Sequence, residues 1–324
     1  MADWGTPRSS GPRDWALVER FLLEDLEERR RARRWRWARR VLFIALFAFL
    51  AWKLGSSATV SPGAFGPHTA VIQVDGQIAA DLPANADSLI DALGTAFKTA
   101  EAKAVVLRIN SPGGSPVQAD EVYREIKRLR AKHPDKPLYA VIGDMGASGA
   151  YYIAAAADRI YVNPSSLVGS IGVIMPGFGV PELLRKLGVE DRTLTAGEHK
   201  NLLSPTRAVD PVEREHVQGV LDAVHRQFIA AVKQGRGERL RVNQDTFSGY
   251  FWSGEQAIAL GLADEVGSLQ SVARDVVKQE TLVDYTLLPS PVDAVLRRLS
   301  AETARGLGAG LRQALGLEQT ATLR

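Results

Sequence analysis

From Thr69 onward, β-branched apolar runs alternate with segments of helical period, and this alternation constrains the fold more than any other feature. Residues 69–74, 104–109 and 138–142 read as buried strands, with 160–162 and 171–174 as shorter ones. Residues 88–102 and 117–131 read as helices. The second has a start signal: Ser115 at the N-cap, Pro116 in the first turn and Gln118 three residues on. A long helix opens at Asp210-Pro211 and runs to about Lys233, and Ser253 with Gln256 forms a second capping box. Parallel neighbours need long crossovers, usually helical, so this order predicts an α/β fold with a mostly parallel sheet flanked by helices.

Ahead of this body the composition changes sharply. The first forty residues hold eleven Arg and seven acidic residues, eight of the Arg lying between Arg29 and Arg40. The remainder is almost balanced, so the chain's +3 charge belongs to its N-terminal segment and the body offers no basic face for nucleic acid. Val41 to Trp52 then run without a polar side chain, and continuing to Val60 adds a single charge, Lys53. Roughly twenty helical residues cross a bilayer, so 41–60 reads as one transmembrane helix. A cleaved signal or a buried core helix are the competing readings. Forty preceding residues are long for the first, and the adjacent Arg cluster argues against the second. Arg on the N-terminal side places that side in the cytoplasm and the body outside it. Trp15, Val18, Leu22 and Leu26 recur at helical spacing, which suits an amphipathic helix on an anionic leaflet. The absence of Cys excludes thiol nucleophiles, disulfides and Cys-bound metal.

Two successive strands end in glycine-rich turns, where sites of open α/β sheets gather. The first is Asn110-Ser111-Pro112-Gly113-Gly114; the second runs from Gly143 to Gly149 and opens a helix over 150–157. Neither matches a Walker or dinucleotide pattern. The other use of such turns is an oxyanion hole, two backbone N–H groups from different loops aimed at a developing alkoxide. It calls for a nucleophile on the second turn, where Ser148 stands, and Gly149 supplies an adjacent N–H. A serine before a helix is ordinarily a plain N-cap. Small neighbours (Ala147, Gly149, Ala150) and the second glycine turn weigh against that here. Serine also needs a base. His216 and His225 lie on the long helix, where a solvated face explains them, and His133 follows a basic helix end. His199 and its neighbour Lys200 stay open as candidates in a loop.

The runs Asn110–Gly114, Ala147-Ser-Gly-Ala-Tyr-Tyr-Ile153, Gly169-Ser-Ile-Gly-Val-Ile174 and Gly197-Glu-His-Lys200 occur in that order. Together with Ser253–Ala257 and Gly261–Gly267, they resemble the signal peptide peptidases of the S49 serine protease family in its short single-copy form. The resemblance covers about 69–267 and implies a ClpP/crotonase-like sheet. It implies Ser148 as nucleophile, Lys200 as general base, Gly114 as an oxyanion donor and Ser170 as the serine bonded to the lysine. Ala150 departs from the family's second glycine, and a methyl there narrows the expected substrate groove. A lysine acts as a base only when a water-poor site favours its neutral form.

The chain is thus expected to divide into a cytoplasmic segment (1–40), an anchor (41–60), a linker (61–68), a peptidase domain (69–285) and a helical tail (286–324). The resemblance implies a membrane-anchored endopeptidase of the bacterial inner membrane, its catalytic domain extracytoplasmic, that degrades remnant signal peptides. It also implies a ring-shaped homo-oligomer of eight subunits, with the long helix and the tail as assembly surfaces. No cofactor, metal or nucleic acid is called for. A crotonase-like acyl-CoA enzyme would build a similar hole, but would need acidic catalysts and a basic CoA pocket that the sequence does not offer.

Overall fold

The computed structural model describes residues 35, 37–49 and 66–287, which belong to two compact units. In the first, residues 37–49 are helical and expose Val41, Leu42, Phe43, Ile44, Leu46, Phe47 and Phe49. Among the described residues no helix is long and apolar enough to cross a membrane. The amphipathic segment before 35, the rest of the expected anchor (50–60) and the tail beyond 287 lie outside the described residues.

The second unit is built on an eight-stranded sheet. Its elements are β1 (His68–Asp75), α1 (Ala86–Lys98), β2 (Ala102–Ser111), α2 (Pro116–Lys132), β3 (Leu138–Ala147), α3 (Gly149–Ala154), β4 (Arg159–Val162) and β5 (Leu167–Gly169). There follow α4 (Pro181–Lys186), α5 (Pro211–Arg236), β6 (Phe251–Ser253), α6 (Gly254–Ala259), β7 (Glu265–Val266), the short helix α7 (Leu269–Ser271) and β8 (Leu282–Asp284). The main path runs β6-β5-β3-β2-β1-β8, with β4 between β3 and β7. Every pairing is parallel except β5 with β6. The mixed α/β architecture expected from the alternation is therefore present.

Local chemistry sets the helix ends. Ser115 Oγ accepts from the Gln118 N–H, with Pro116 at the first position of α2. Ser253 and Gln256 exchange both bonds of their capping box. The first helix stops at Lys98 rather than 102 because Ala102 already pairs in the sheet. The Lys136 ammonium donates to the carbonyls of Ala96, Phe97 and Thr99, a favourable cation site at a helix C-terminus. Ile72, Val74, Leu107, Ile109, Leu138 and Ile142 from the three central strands are fully buried in the main core. Arg236, also fully buried, forks onto Asp264 at 2.9 and 2.8 Å and donates to the Gly261 carbonyl at 2.8 Å.

The strand expected over 171–174 is not formed; those residues carry no regular structure, and β5 lies just before them. The cause is a division of β3. Its first half pairs β4 (Tyr139 with Arg159 through Ile142 with Val162), and its second half pairs β5 (Met145 with Leu167 through Ala147 with Gly169). The sheet therefore splits at the end of β3, and a cleft opens there.

Candidate active site

Parallel register decides which residues meet. Ala147 pairs with Gly169, so the next residues, Ser148 and Ser170, leave the ends of neighbouring strands about 4.8 Å apart in the pairing direction. The Ser148 N–H donates to the Gly169 carbonyl at 2.8 Å, and the Ser170 N–H to the Tyr250 carbonyl at 2.8 Å. Both serines have left-handed backbones, φ 54° and φ 50°. For a residue with a Cβ this costs about 1–3 kcal/mol and persists only where the surroundings impose it. Ser148 stands at the N-cap position of α3 (ψ −128°), yet its hydroxyl makes no capping bond. The ordinary explanation for a serine before a helix therefore fails here.

The first glycine turn closes over the second. Ser111, fully buried at the end of β2, accepts from the Gly113 N–H at 3.1 Å through its hydroxyl. Ile78 clasps the turn from the other side, donating to the Gly113 carbonyl at 2.9 Å and accepting from the Ser115 N–H at 2.8 Å. Two positions there exclude any side chain. A Cβ on Gly113 (φ 91°) would lie 2.6 Å from the Gly149 nitrogen and 2.8 Å from Ser148 Cβ. One on Gly114 (φ 155°) would lie 2.1 Å from the Ile78 carbonyl oxygen. Asn110 ties the turns together: its Oδ1 accepts from the Met145 N–H at 3.2 Å. Neither the Gly114 nor the Gly149 N–H donates to another described residue, and the latter is free by position in the first turn of a helix.

These groups line a cleft of about 290 Å³ with Pro112, Pro116, Tyr152, Gly172, Val173, Ile174, Val224, Phe228 and Gly249. Its apolar wall includes Tyr152 stacked on Phe228, centroids 4.8 Å apart. The Tyr152 hydroxyl donates to Asp120 at 2.9 Å. Burial, then the hydrogen bond and charge of Asp120, push that phenol far up. It stays neutral. The Ala150 methyl, expected to narrow the groove, is fully buried in the core and not among the lining residues.

Of the five site residues named from sequence, four gather at this cleft: Ser148, Gly149, Gly114 and Ser170. Lys200 does not. It is exposed, on a turn over 198–203 within a segment exposed almost throughout from Ile174 to Lys200. The other candidate, His199, has its Nδ1 3.3 Å from Glu213 Oε1 and is not among the lining residues either. His133 caps α2, as its position suggested, and His216 is exposed. His225 differs from expectation. It is half-buried, and its Nε2–H donates to the Ile171 carbonyl at 2.9 Å, bracing the turn that follows Ser170 from α5. No local pattern marks such a long-range bond.

A strained serine that shares a cleft with two free N–H groups is a feature of acyl-transfer sites, and comparison with known proteins agrees. Residues 130–283 match the model of peptidase family S49, a span that includes Ser148, Ser170 and Lys200. A Methanocaldococcus jannaschii protein named "Putative protease MJ0651" is 31% identical over 236 residues, 71% of this chain and 74% of its own length. The chain belongs to peptidase family S49. An Enterococcus faecium protein named "Putative signal peptide peptidase SppA" is 32% identical over 186 residues, 57% of this chain and 54% of that protein. A Brucella melitensis protein named "Na(+)/H(+) antiporter NhaA" is 45% identical over 182 residues, 56% of this chain but only 25% of that protein. The matched region thus spans about half of one relative and a quarter of the other.

Proposed function

We propose that this S49 chain is a membrane-anchored serine endopeptidase with a Ser148–Lys200 dyad, acting on apolar peptides such as spent signal peptides. The observation that carries the reading is Ser148: left-handed backbone, uncapped hydroxyl, and a cleft position beside the free N–H groups of Gly114 and Gly149. In the reaction a neutral Lys200 amine takes the hydroxyl proton as Ser148 Oγ bonds to the scissile carbonyl carbon. The carbonyl π pair moves to oxygen, where the two glycine N–H groups receive it. Collapse breaks the C–N bond, and the lysine ammonium returns the proton to the leaving amine. Water repeats the sequence on the ester and releases the acid. Ser170 holds the lysine in line.

Lys200 is not among the residues lining the cleft of its own chain, so a second copy brings its exposed turn, held as it stands, to that cleft. Away from the cleft lining, the 173–209 segment that carries the turn exposes Phe178 (82%) and Leu194 (96%). So much open apolar surface calls for a partner, which supports assembly into a ring of subunits. Proline- and aromatic-lined walls suit an extended substrate with apolar side chains. The exposed apolar helix at 37–49, preceded by Arg-rich sequence, supports an N-terminal anchor with the body outside the cytoplasm.

The test is hydrolysis of a synthetic signal peptide by the full chain in detergent, followed by mass spectrometry. Internal cleavage lost in both Ser148→Ala and Lys200→Ala supports the reading. Cleavage that survives either substitution removes that residue from it.

A further inference from the structure

We propose that Glu213 is a positioning residue that fixes the turn carrying Lys200, an inference that rests on Lys200 being the base. Glu213 is the third residue of α5, yet its side chain is only 6% exposed on a stretch whose neighbours face solvent. A buried carboxylate is costly unless its charge and lone pairs are matched. Arg207 pairs with one oxygen, and His199 Nδ1–H reaches the other at 3.3 Å. Arg207 in turn donates twice to the Asn201 carbonyl, from Nε at 3.1 Å and Nη2 at 2.9 Å.

The residues on either side of Lys200 are therefore both tied to one carboxylate, His199 directly and Asn201 through Arg207. The turn is closed further by the Lys200 N–H to the Gly197 carbonyl at 3.1 Å and by the left-handed Leu203 (φ 57°). Among the described residues the Lys200 ammonium has no hydrogen bond or ion pair, Glu213 included. The arrangement grips the backbone and leaves the amine free. A carboxylate bonded to the amine itself would hold it protonated and spoil it as a base. Glu213 is not among the cleft residues, so it acts through Lys200 and not on substrate.

The test compares Glu213→Gln, Glu213→Asp, Arg207→Gln and Lys200→Ala in the full chain. It reads kcat and KM on a fluorogenic apolar peptide, the rate of fluorophosphonate reaction at Ser148, and thermal melting. Misplacing a catalytic group by about 1 Å costs on the order of 100-fold. Glu213→Gln is expected to lower kcat by about 10- to 100-fold with KM changed less than about twofold, and Glu213→Asp to recover part of the loss. Placed on Lys200→Ala, Glu213→Gln leaves the residual labelling rate unchanged. An unaltered kcat in both Glu213→Gln and Arg207→Gln overturns the proposal. So does an equal fall in labelling when lysine is already absent, because a clamp on a missing base has nothing to hold. If Glu213→Gln does not fold, Arg207→Gln decides by the same criteria. If Lys200→Ala keeps its rate, the dyad fails instead; if Lys200→Ala alone loses rate, only the clamp does.

Discussion

Replacing Gly113 with alanine tests how closely the two glycine turns must approach. The added methyl would sit 2.6 Å from the Gly149 nitrogen, 2.7 Å from the Ala147 carbonyl oxygen and 2.8 Å from Ser148 Cβ. Ordinary contact begins near 3.4 Å, so one turn must retreat by about 0.8 Å. All three obstructing atoms belong to the backbone or Cβ of the nucleophile's turn, so none can swing aside. The retreat draws the Gly114 N–H away from the oxyanion position. Loss of one such donor costs on the order of 100- to 1,000-fold in kcat, about 2.7–4 kcal/mol. The fold should suffer less: a left-handed alanine (φ 91°) costs about 1–3 kcal/mol, or roughly 2–12 °C in melting temperature for a domain of this size. Initial rates on a fluorogenic peptide, measured well below the melting point, give the comparison. Gly94→Ala in α1, where a methyl meets nothing within 4 Å, is the control and should keep full activity. A Gly113→Ala enzyme with kcat within about threefold of wild type would refute the two-turn hole, since it falls far short of the loss expected for one donor.

Ile174 is 85% exposed at the cleft, so Ile174→Asp should leave melting nearly unchanged while raising KM for apolar peptides by about tenfold or more, the worth of burying one such side chain. Asp264→Asn breaks the buried Arg236 pair and should cost about 3–5 kcal/mol by chemical denaturation near neutral pH. Burial alone would raise the Asp264 pKa, but the hydrogen bonds and charge of Arg236, the Ile160 N–H and the charge of Arg239 hold it below its ordinary 3.8. Its contribution is therefore complete above that value and is lost as the pH falls below it. Melting temperatures of wild type and Asp264→Asn should converge in strong acid. His225→Ala frees the Ile171 carbonyl and loosens the turn after Ser170. It should lower kcat more than it alters KM, with His225→Gln keeping more activity by retaining a donor.

The strands β1, β2 and β3, the caps at Ser115 and Ser253, and both glycine turns were legible because each has a local signature: β-branched runs, a cap three residues before its partner, and paired glycines. What escaped depends on register. Nothing within 138–147 reveals that β3 changes partner from β4 to β5, and that change makes 171–174 a cleft wall and not a strand. Three-residue strands such as β5, β6 and β8 are too short to show a period. The left-handed backbone of Ser148 follows from what the chain on both sides is bonded to, not from serine itself. Ala150 read as an obstruction because the direction of its methyl is fixed by packing in α3. His225 looked like a solvated helix residue and Glu213 gave no sequence signal at all; only their partners, 54 and 14 residues distant in sequence, reveal what they do.

The most direct measurement is the site of covalent capture. The full chain is treated with a fluorophosphonate, digested, and the adduct located by tandem mass spectrometry, in wild type and in Lys200→Ala. A single adduct on Ser148, formed at least about a hundredfold more slowly without the lysine, is the expected result. An adduct on another residue, or capture of Ser148 at an equal rate in Lys200→Ala, would contradict the account.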